Sequence, residues 1–356
     1  RHPVYAVTKN KAKPVESNLH VPSKRPHPPP HTPHPTPPTP HTPPPMNIVS
    51  LLPAATEWIA AFGRADKLVG RSHECDWPES VQDAPVVTSA SYESKGNSSA
   101  IDDAVNERLQ QGLSLYDIDL DRLRSLEPDV IVTQDQCEVC AVSLPQLEEA
   151  LADWGGTTVP ELVSLQPSTY KEVLDSALRL AKTIGASSDA MREIAGGEMR
   201  LQRLRSKVGV DRRVDLETLP TVACIEWMDP LMAAGHWMPD LAEHAGAQCV
   251  LAKKGDRSPI IELDALLDAD PDAIAILPCG FTVDQTQRDL HLLVERDGWS
   301  DLTAVKNRRV AVLDGNAYFN RPGPRLVRSC ELLASVVHRR DDLVADDLVA
   351  DDLVAD

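Results

Sequence analysis

"NIVSLLPAATEWIAAFG", residues 47–63, decides the fold. Its first half is a short apolar run ending at Pro53, and its second half sets Ala, Trp, Ile and Phe at helical spacing until Gly63. A buried strand running straight into an amphipathic helix is the opening unit of an α/β protein. Outward from it the alternation continues. "KLVGRS" and "APVVT" read as a second and a third strand, "IDDAVNERLQQG" as a helix stopped by Gly112, and "LDRLRSLEPDVIVTQDQC" as helix, turn and strand. "SLPQLEEALADWGG" is a further helix before the strand near "ELVSL". Strands separated by helices of this length pair in parallel, with both faces of the sheet covered.

"STYKEVLDSALRLAKTIG" follows as a longer amphipathic helix, with Ser168 as N-cap and Gly185 as stop, and more helix runs to about Lys207. After Pro220 the alternation restarts with "TVACIEW" and closes with "RRVAVLD" and the helix "GPRLVRSCELLASVVH". The expected organisation is an α/β lobe over 46–166, a bridging helix and connector over 167–218, and a second α/β lobe over 219–338.

The ends differ from this body. Residues 1–45 hold half of the chain's 30 prolines and six of its 11 histidines without apolar periodicity, so an extended, disordered segment is expected, a linker or read-through region before Met46 rather than a metal-binding tail. Residues 339–356 end in "DDLVADDLVADDLVAD", whose five-residue period matches neither helix nor strand; a solvated acidic tail is expected.

A formal charge of -18 argues against nucleic acid and anionic membrane surfaces as partners. Seven scattered cysteines read as free thiols. No run of 18 apolar residues could span a membrane, and the N-terminus lacks the apolar segment of an export signal. The expectation is therefore a cytoplasmic monomer.

In open α/β sheets ligands sit beyond the carboxyl ends of the strands. There this chain places Pro53, then Ser72 to Trp77, then Gln134 to Cys140, and in the second lobe Glu226 to Asp229, Pro278 to Phe281 and Asn316 to Arg321. Aromatics are only 4% of the chain, yet Trp77, Trp227, Trp237, Phe281, Tyr318 and Phe319 fall in or beside these loops, which suits a broad planar ligand. The competing reading is that Trp227 and Trp237 pack the second lobe, evenly balanced for Trp237 at a helix start, and Met228, Met232 and Met238 read as core or cleft lining. In "GRSHECDWP", residues 70–78, His73 and Cys75 combine with the C-x-x-C of Cys137 and Cys140 as a candidate soft-ligand site for zinc or iron, or as groups facing the metal of a ligand. The competing reading makes the cysteines buried small hydrophobes and His73 a hydrogen-bonded loop residue; a redox role for the pair is weaker.

"IVSLLPAATEWIAAFG", "LVGRSHECDWP", "LEPDVIVTQ", "PLMAAGHWMPDLAEHAGA" and "NRPGPRLV" together resemble the cobalamin and iron-siderophore class of substrate-binding proteins, and most its cobalamin-binding members. The resemblance runs from Asn47 to His338. It implies two Rossmann-like lobes joined by a single long helix (class III periplasmic-binding-protein-like), placed here on "STYKEVLDSALRLAKTIG". It also implies a ligand between the lobes, cobalamin or a related corrinoid, and delivery to an ABC permease. Acidic residues such as Glu57 would then meet the permease, although Glu57 also suits a first helical turn. "HEC" and "CEVC" look like features of a non-exported branch. Ligand contacts are expected from Pro53, His73, Trp77, Glu226, Trp227, Trp237, Phe281, Tyr318 and Arg321, with His73 at the metal or its axial group; Arg325 would join Arg321 or lie on a solvated helix face.

No G-x-S-x-G elbow, P-loop or H-E-x-x-H is present, so no enzyme is expected. The alternative is a metal- or thiol-dependent enzyme or metal-binding sensor built on the His/Cys cluster.

Overall fold

The computed structural model describes residues 46–91, 98–110, 115–134, 144–152, 154–155, 158–210, 218–343 and 353–355. The N-terminal Pro/His-rich segment, Cys137, Cys140 and most of the acidic repeat lie outside the described residues.

The first lobe runs β1 (Ile48–Ser50), α1 (Pro53–Ala61), β2 (Leu68–Arg71), β3 (Thr88–Ala90), α2 (Ser98–Gln110), β4 (Tyr116–Ile118), α3 (Leu120–Ser125), β5 (Val130–Gln134), α4 (Leu144–Ala152) and β6 (Glu161–Leu165). Its sheet is parallel, in the order β2-β1-β5-β6. β1 is central and buried along its length, and Pro53, whose fixed φ suits a first helical position, starts α1 without a side-chain cap. "APVVT" does not become a third strand of this sheet. Val86 makes one parallel bridge to Arg71, and Thr88–Ala90 turns aside to pair antiparallel with β4 in a separate two-stranded ribbon.

Two helices follow, α5 (Tyr170–Thr183) and α6 (Ser187–Lys207). The N-cap of α5 is Thr169, not Ser168. Thr169 Oγ1 accepts from the Glu172 amide and the Glu172 carboxylate accepts from the Thr169 amide, a reciprocal box that the T-x-x-E spacing permits and a cap at Ser168 would lose. Thr169→Ala is expected to cost about 1 kcal/mol, read as a lowered Tm. Gly185 ends the helix at φ +65°, where a side chain would be strained.

α5 packs on α1 of the first lobe, and at its start the Tyr170 amide donates to Asp240 of the second lobe at 2.9 Å, so the Ser168–Gly185 segment reaches both lobes and α6 makes a second crossing beside it. The 21 residues of α6 span about 31 Å. Asp189 in its first turn pairs with Arg64 of the first lobe at 3.3 Å, and Arg200 meets Glu331 of the second lobe at 2.8 Å.

The second lobe contains β7 (Thr221–Met228), β8 (Leu231–Ala233), α7 (Met238–His244), β9 (Gln248–Val250), α8 (Leu263–Ala269), β10 (Ala273–Ile276), α9 (Val283–Asp289), α10 (His291–Val294), α11 (Thr303–Lys306), β11 (Val310–Leu313) and α12 (Leu326–His338). Strands β9, β7, β10 and β11 are parallel, while β8 forms a hairpin with β7, a strand the alternation of the sequence does not reveal. The tail is not wholly solvated: Leu343 is buried, and β12 (Leu353–Ala355) pairs antiparallel with the edge strand β11. Edge pairing needs backbone groups, not apolar periodicity.

One apolar cluster continues from Ile48, Trp58 and Val132 through Leu180, Leu201 and Leu204 to Val222, Leu241, Leu326 and Leu333. The two lobes are therefore packed on a shared core along α5, α6 and α12.

Candidate ligand cleft

The carboxyl ends of the two sheets meet around Arg321. From the loop after β11 its guanidinium reaches across to the first lobe and donates to Asp76 at 2.5 and 3.3 Å, to Glu57 at 3.4 Å and to the Glu74 carbonyl at 3.3 Å; within its own lobe it donates to Asn316 at 2.9 Å. Arg325 donates Nε to Glu57 at 3.0 Å and a second bond to the other oxygen, lying over Trp77 with its carbon 4.7 Å from the ring centre. The Trp58 indole donates to the Pro322 carbonyl at 3.0 Å.

Glu57 is fully buried and Arg321 only 8% exposed. Burial raises the Glu57 pKa despite the opposing pull of both arginines. Burial also acts upward on Asp76, but the bonds and charge of Arg321 outweigh it and the net direction is down. Glu57 is sealed between the lobes with no exposed surface to offer a permease, and Arg321 fastens the lobes through its two terminal nitrogens.

His73 follows β2. Thr88 donates its hydroxyl proton to Ser72 at 3.1 Å, so Thr88 Oγ1 accepts from the His73 amide at 3.1 Å and from Nδ1 at 2.8 Å. With Thr88 accepting, the proton sits on Nδ1 and the lone pair on Nε2, which has no partner among the described residues. Burial lowers the His73 pKa, which favours the neutral ring. Tyr116 stands 5.7 Å away, centre to centre, and donates to Glu74 at 3.3 Å; burial raises the Glu74 pKa against the charge of Arg321.

Cys75 does not join His73. It is 1% exposed, accepts from Thr56 at 3.0 Å and points at the Ser50 carbonyl, and burial pushes its thiol up to about 11. A neutral buried thiol is a poor metal ligand. No group of three or more His, Cys, Asp or Glu is arranged for a metal ion among the described residues.

On the second lobe Trp227 meets Phe281 edge to face at 5.2 Å, and the Trp227 indole N–H is buried without a partner among the described residues. Phe281 accepts an amide bond from Asn316 at 3.1 Å, which joins this aromatic pair to the Arg321 cluster. Tyr318 lies in a π-helical turn, Gly315–Phe319, 5.5 Å below Arg325. Gly315 has no space for a side chain, since a Cβ would strike the Leu277 and Pro278 carbonyls. Trp237 departs from expectation: its indole donates to the Phe319 carbonyl at 2.9 Å inside the core. Met228 and Met238 are core as well, and Pro53 is buried at the start of α1, while Trp77 is 41% exposed.

α2 crosses from the first lobe to the second. The Ser98 amide donates to buried Asp289 of α9 at 2.5 Å, α2 packs on β7, and Asp102 stands near enough to Asp229 for the two charges to interact. Sequence reasoning named none of Asp289, Asp102 and Tyr116. The one available signal was "NRPGPR", two arginines without a neighbouring acid, whose partners had to come from elsewhere in the chain.

The sequence profile of the periplasmic binding protein family matches residues 48–317. This chain belongs to that family. Among family relatives, the uncharacterized ABC transporter substrate-binding lipoprotein YvrC of Bacillus subtilis is 24% identical over 304 residues, covering 82% of this chain and 79% of YvrC. A periplasmic heme binding protein from Pseudomonas aeruginosa superposes with a TM-score of 0.62 at 20% identity, over 88% of this chain and 98% of its own. The periplasmic vitamin B12 binding protein BtuF of Vibrio cholerae gives 0.57 at 19% identity, over 82% and 96%. The two-lobe α/β architecture and the substrate-binding class are thereby established. The cytoplasmic expectation is overturned: the family is that of periplasmic binding proteins, and the B. subtilis relative is a lipoprotein.

Proposed function

We propose that this periplasmic binding protein holds a corrinoid, cobalamin or a close relative, in the cleft between its lobes and presents it to an ABC permease without chemical change. The observation that supports the reading best is His73: a neutral imidazole whose Nδ1 is tied to Thr88 and whose Nε2 lone pair is left for the axial position of a ligand's metal. Trp77, Trp227, Phe281 and Tyr318 supply apolar area for a broad macrocycle.

Aquocobalamin added to the full chain should give a saturable visible spectral change at one equivalent, as imidazole replaces water on cobalt. In His73→Ala the ligand should bind more weakly and without that change. A flat titration of the unaltered chain would remove the corrinoid reading; an unaltered spectrum in His73→Ala would remove the axial role alone.

A further inference from the structure

We infer that the cleft selects against a ligand of net negative charge, favouring an uncharged or cationic molecule whose periphery offers hydrogen-bond donors, and that Glu226 is the residue that sets this preference. The inference rests on the reading that the cleft is the ligand site.

Glu226 stands at the irregularity where the β7–β8 register shifts between Ile225 and Trp227. Such bulges re-aim a side chain at the end of a strand. Its Oε2 accepts from Ser258 at 2.8 Å, and Ser258 is held in place by the Gly235 amide at 3.1 Å. That approach is possible because residue 235 is glycine: a Cβ would meet the Asp256 carbonyl, the Ser258 amide and the Arg257 backbone. Oε1 has no hydrogen-bond partner among the described residues. The carboxyl is thus singly bonded, on the residue that precedes Trp227 of the Trp227–Phe281 pair.

Its neighbours do not neutralise it. Asp229 follows on the same strand end, and Asp102 of α2 stands within its influence. The nearby cation Arg296 is engaged by the Met228 carbonyl at 2.7 Å and by Asp229 at 3.5 Å. From the 256–258 loop, Arg257 acts on His236, whose pKa it lowers together with burial. From the loop after β10, Cys279 offers only its amide, to the Glu226 carbonyl at 3.1 Å. Arg321 is engaged by Asp76, Glu57 and Asn316. Glu226 and Asp229, with Asp102 close to Asp229, therefore gather negative charge at the end of β7, while Arg296 and Arg321 are engaged by protein acceptors, so an incoming carboxylate meets repulsion there.

Desolvation raises the Glu226 pKa to about 7, with the Ser258 bond opposing. The carboxyl is thus mostly ionised at pH 8.5 and mostly protonated at pH 6, and tolerance of anions should rise as the pH falls. The test titrates the full chain at both values with cyanocobalamin, which has no net charge and a rim of amides, and with hemin, which carries two propionates. Cyanocobalamin should bind more tightly than hemin at pH 8.5, and hemin affinity should rise about tenfold or more from pH 8.5 to 6. Glu226→Gln should lower the cyanocobalamin-to-hemin affinity ratio at pH 8.5 about tenfold and flatten the hemin slope. Hemin bound at pH 8.5 as tightly as cyanocobalamin, or a hemin slope unchanged in Glu226→Gln, overturns the inference. Binding of neither ligand overturns the cleft reading itself, and the inference with it.

Discussion

Arg321→Ala is expected to destabilise the protein by about 3–5 kcal/mol, the range for removing one partner of a buried ion pair. The loss is large because Glu57 has no exposure and Asp76 owes its lowered pKa to Arg321. The deficit should depend on pH. Glu57 is raised by burial, so its ionised form opposes folding, and with Arg321 gone its pKa rises further; the associated stability is present at low pH and lost as pH rises through the folded value. Asp76 is lowered in the native protein, so it contributes stability above its unfolded pKa, and the variant forfeits that contribution. Both effects make the deficit greater at pH 7 than at pH 4, a difference that urea unfolding at the two values would detect. A double variant, Glu57→Met with Arg321→Met, should recover part of the loss, because the cost lies in the stranded charge more than in the lost attraction. Loss below about 1 kcal/mol in Arg321→Ala would mean that the lobes are held together by the shared apolar core alone.

Much of this architecture was legible in the sequence, for a local reason. "NIVSLLPAATEWIAAFG" carries its own strand period, its own helix starter at Pro53 and its own stop at Gly63, and needs no distant residue to be read. The misplaced cap at Ser168 was also local: the decisive cue was the partner three residues on, Glu172, rather than the hydroxyl itself. The site was less legible because its geometry is made by pairs far apart in the chain. Glu57 reads as a first-turn acid until Arg321 and Arg325, more than 260 positions away, close over it. The "HEC" spacing suggested a shared site, but the chain turns at His73–Glu74 and sends His73 to Thr88 and Cys75 to Thr56, in different directions. Trp227 and Trp237 are indistinguishable by composition, and only the Phe319 carbonyl beside Trp237 makes it a core residue.

Trp227→Ala is expected to lower corrinoid affinity about 30-fold, the effect of removing one central aromatic anchor from a binding surface. Trp227 sits at the end of β7 beside Glu226, and its contact with Phe281 turns two side chains into one apolar wall; truncation removes the ring and also frees Phe281 to move. Trp227→Phe separates the two properties of the indole. Phenylalanine keeps an aromatic face but deletes the N–H that is buried without a partner among the described residues, and an unmet buried donor costs about 1–3 kcal/mol. The ligand-free Trp227→Phe protein should therefore melt at a higher temperature than the native chain, while its affinity falls less than that of Trp227→Ala. If instead Trp227→Phe melts lower and binds as weakly as Trp227→Ala, the indole N–H must find an acceptor when the ligand is bound, and recognition at this wall is polar as well as apolar. If Trp227→Ala binds as tightly as the native chain, the aromatic pair is second-lobe packing, and the ligand's broad face must rest on Trp77 and Tyr318, the aromatics on either side of Arg325.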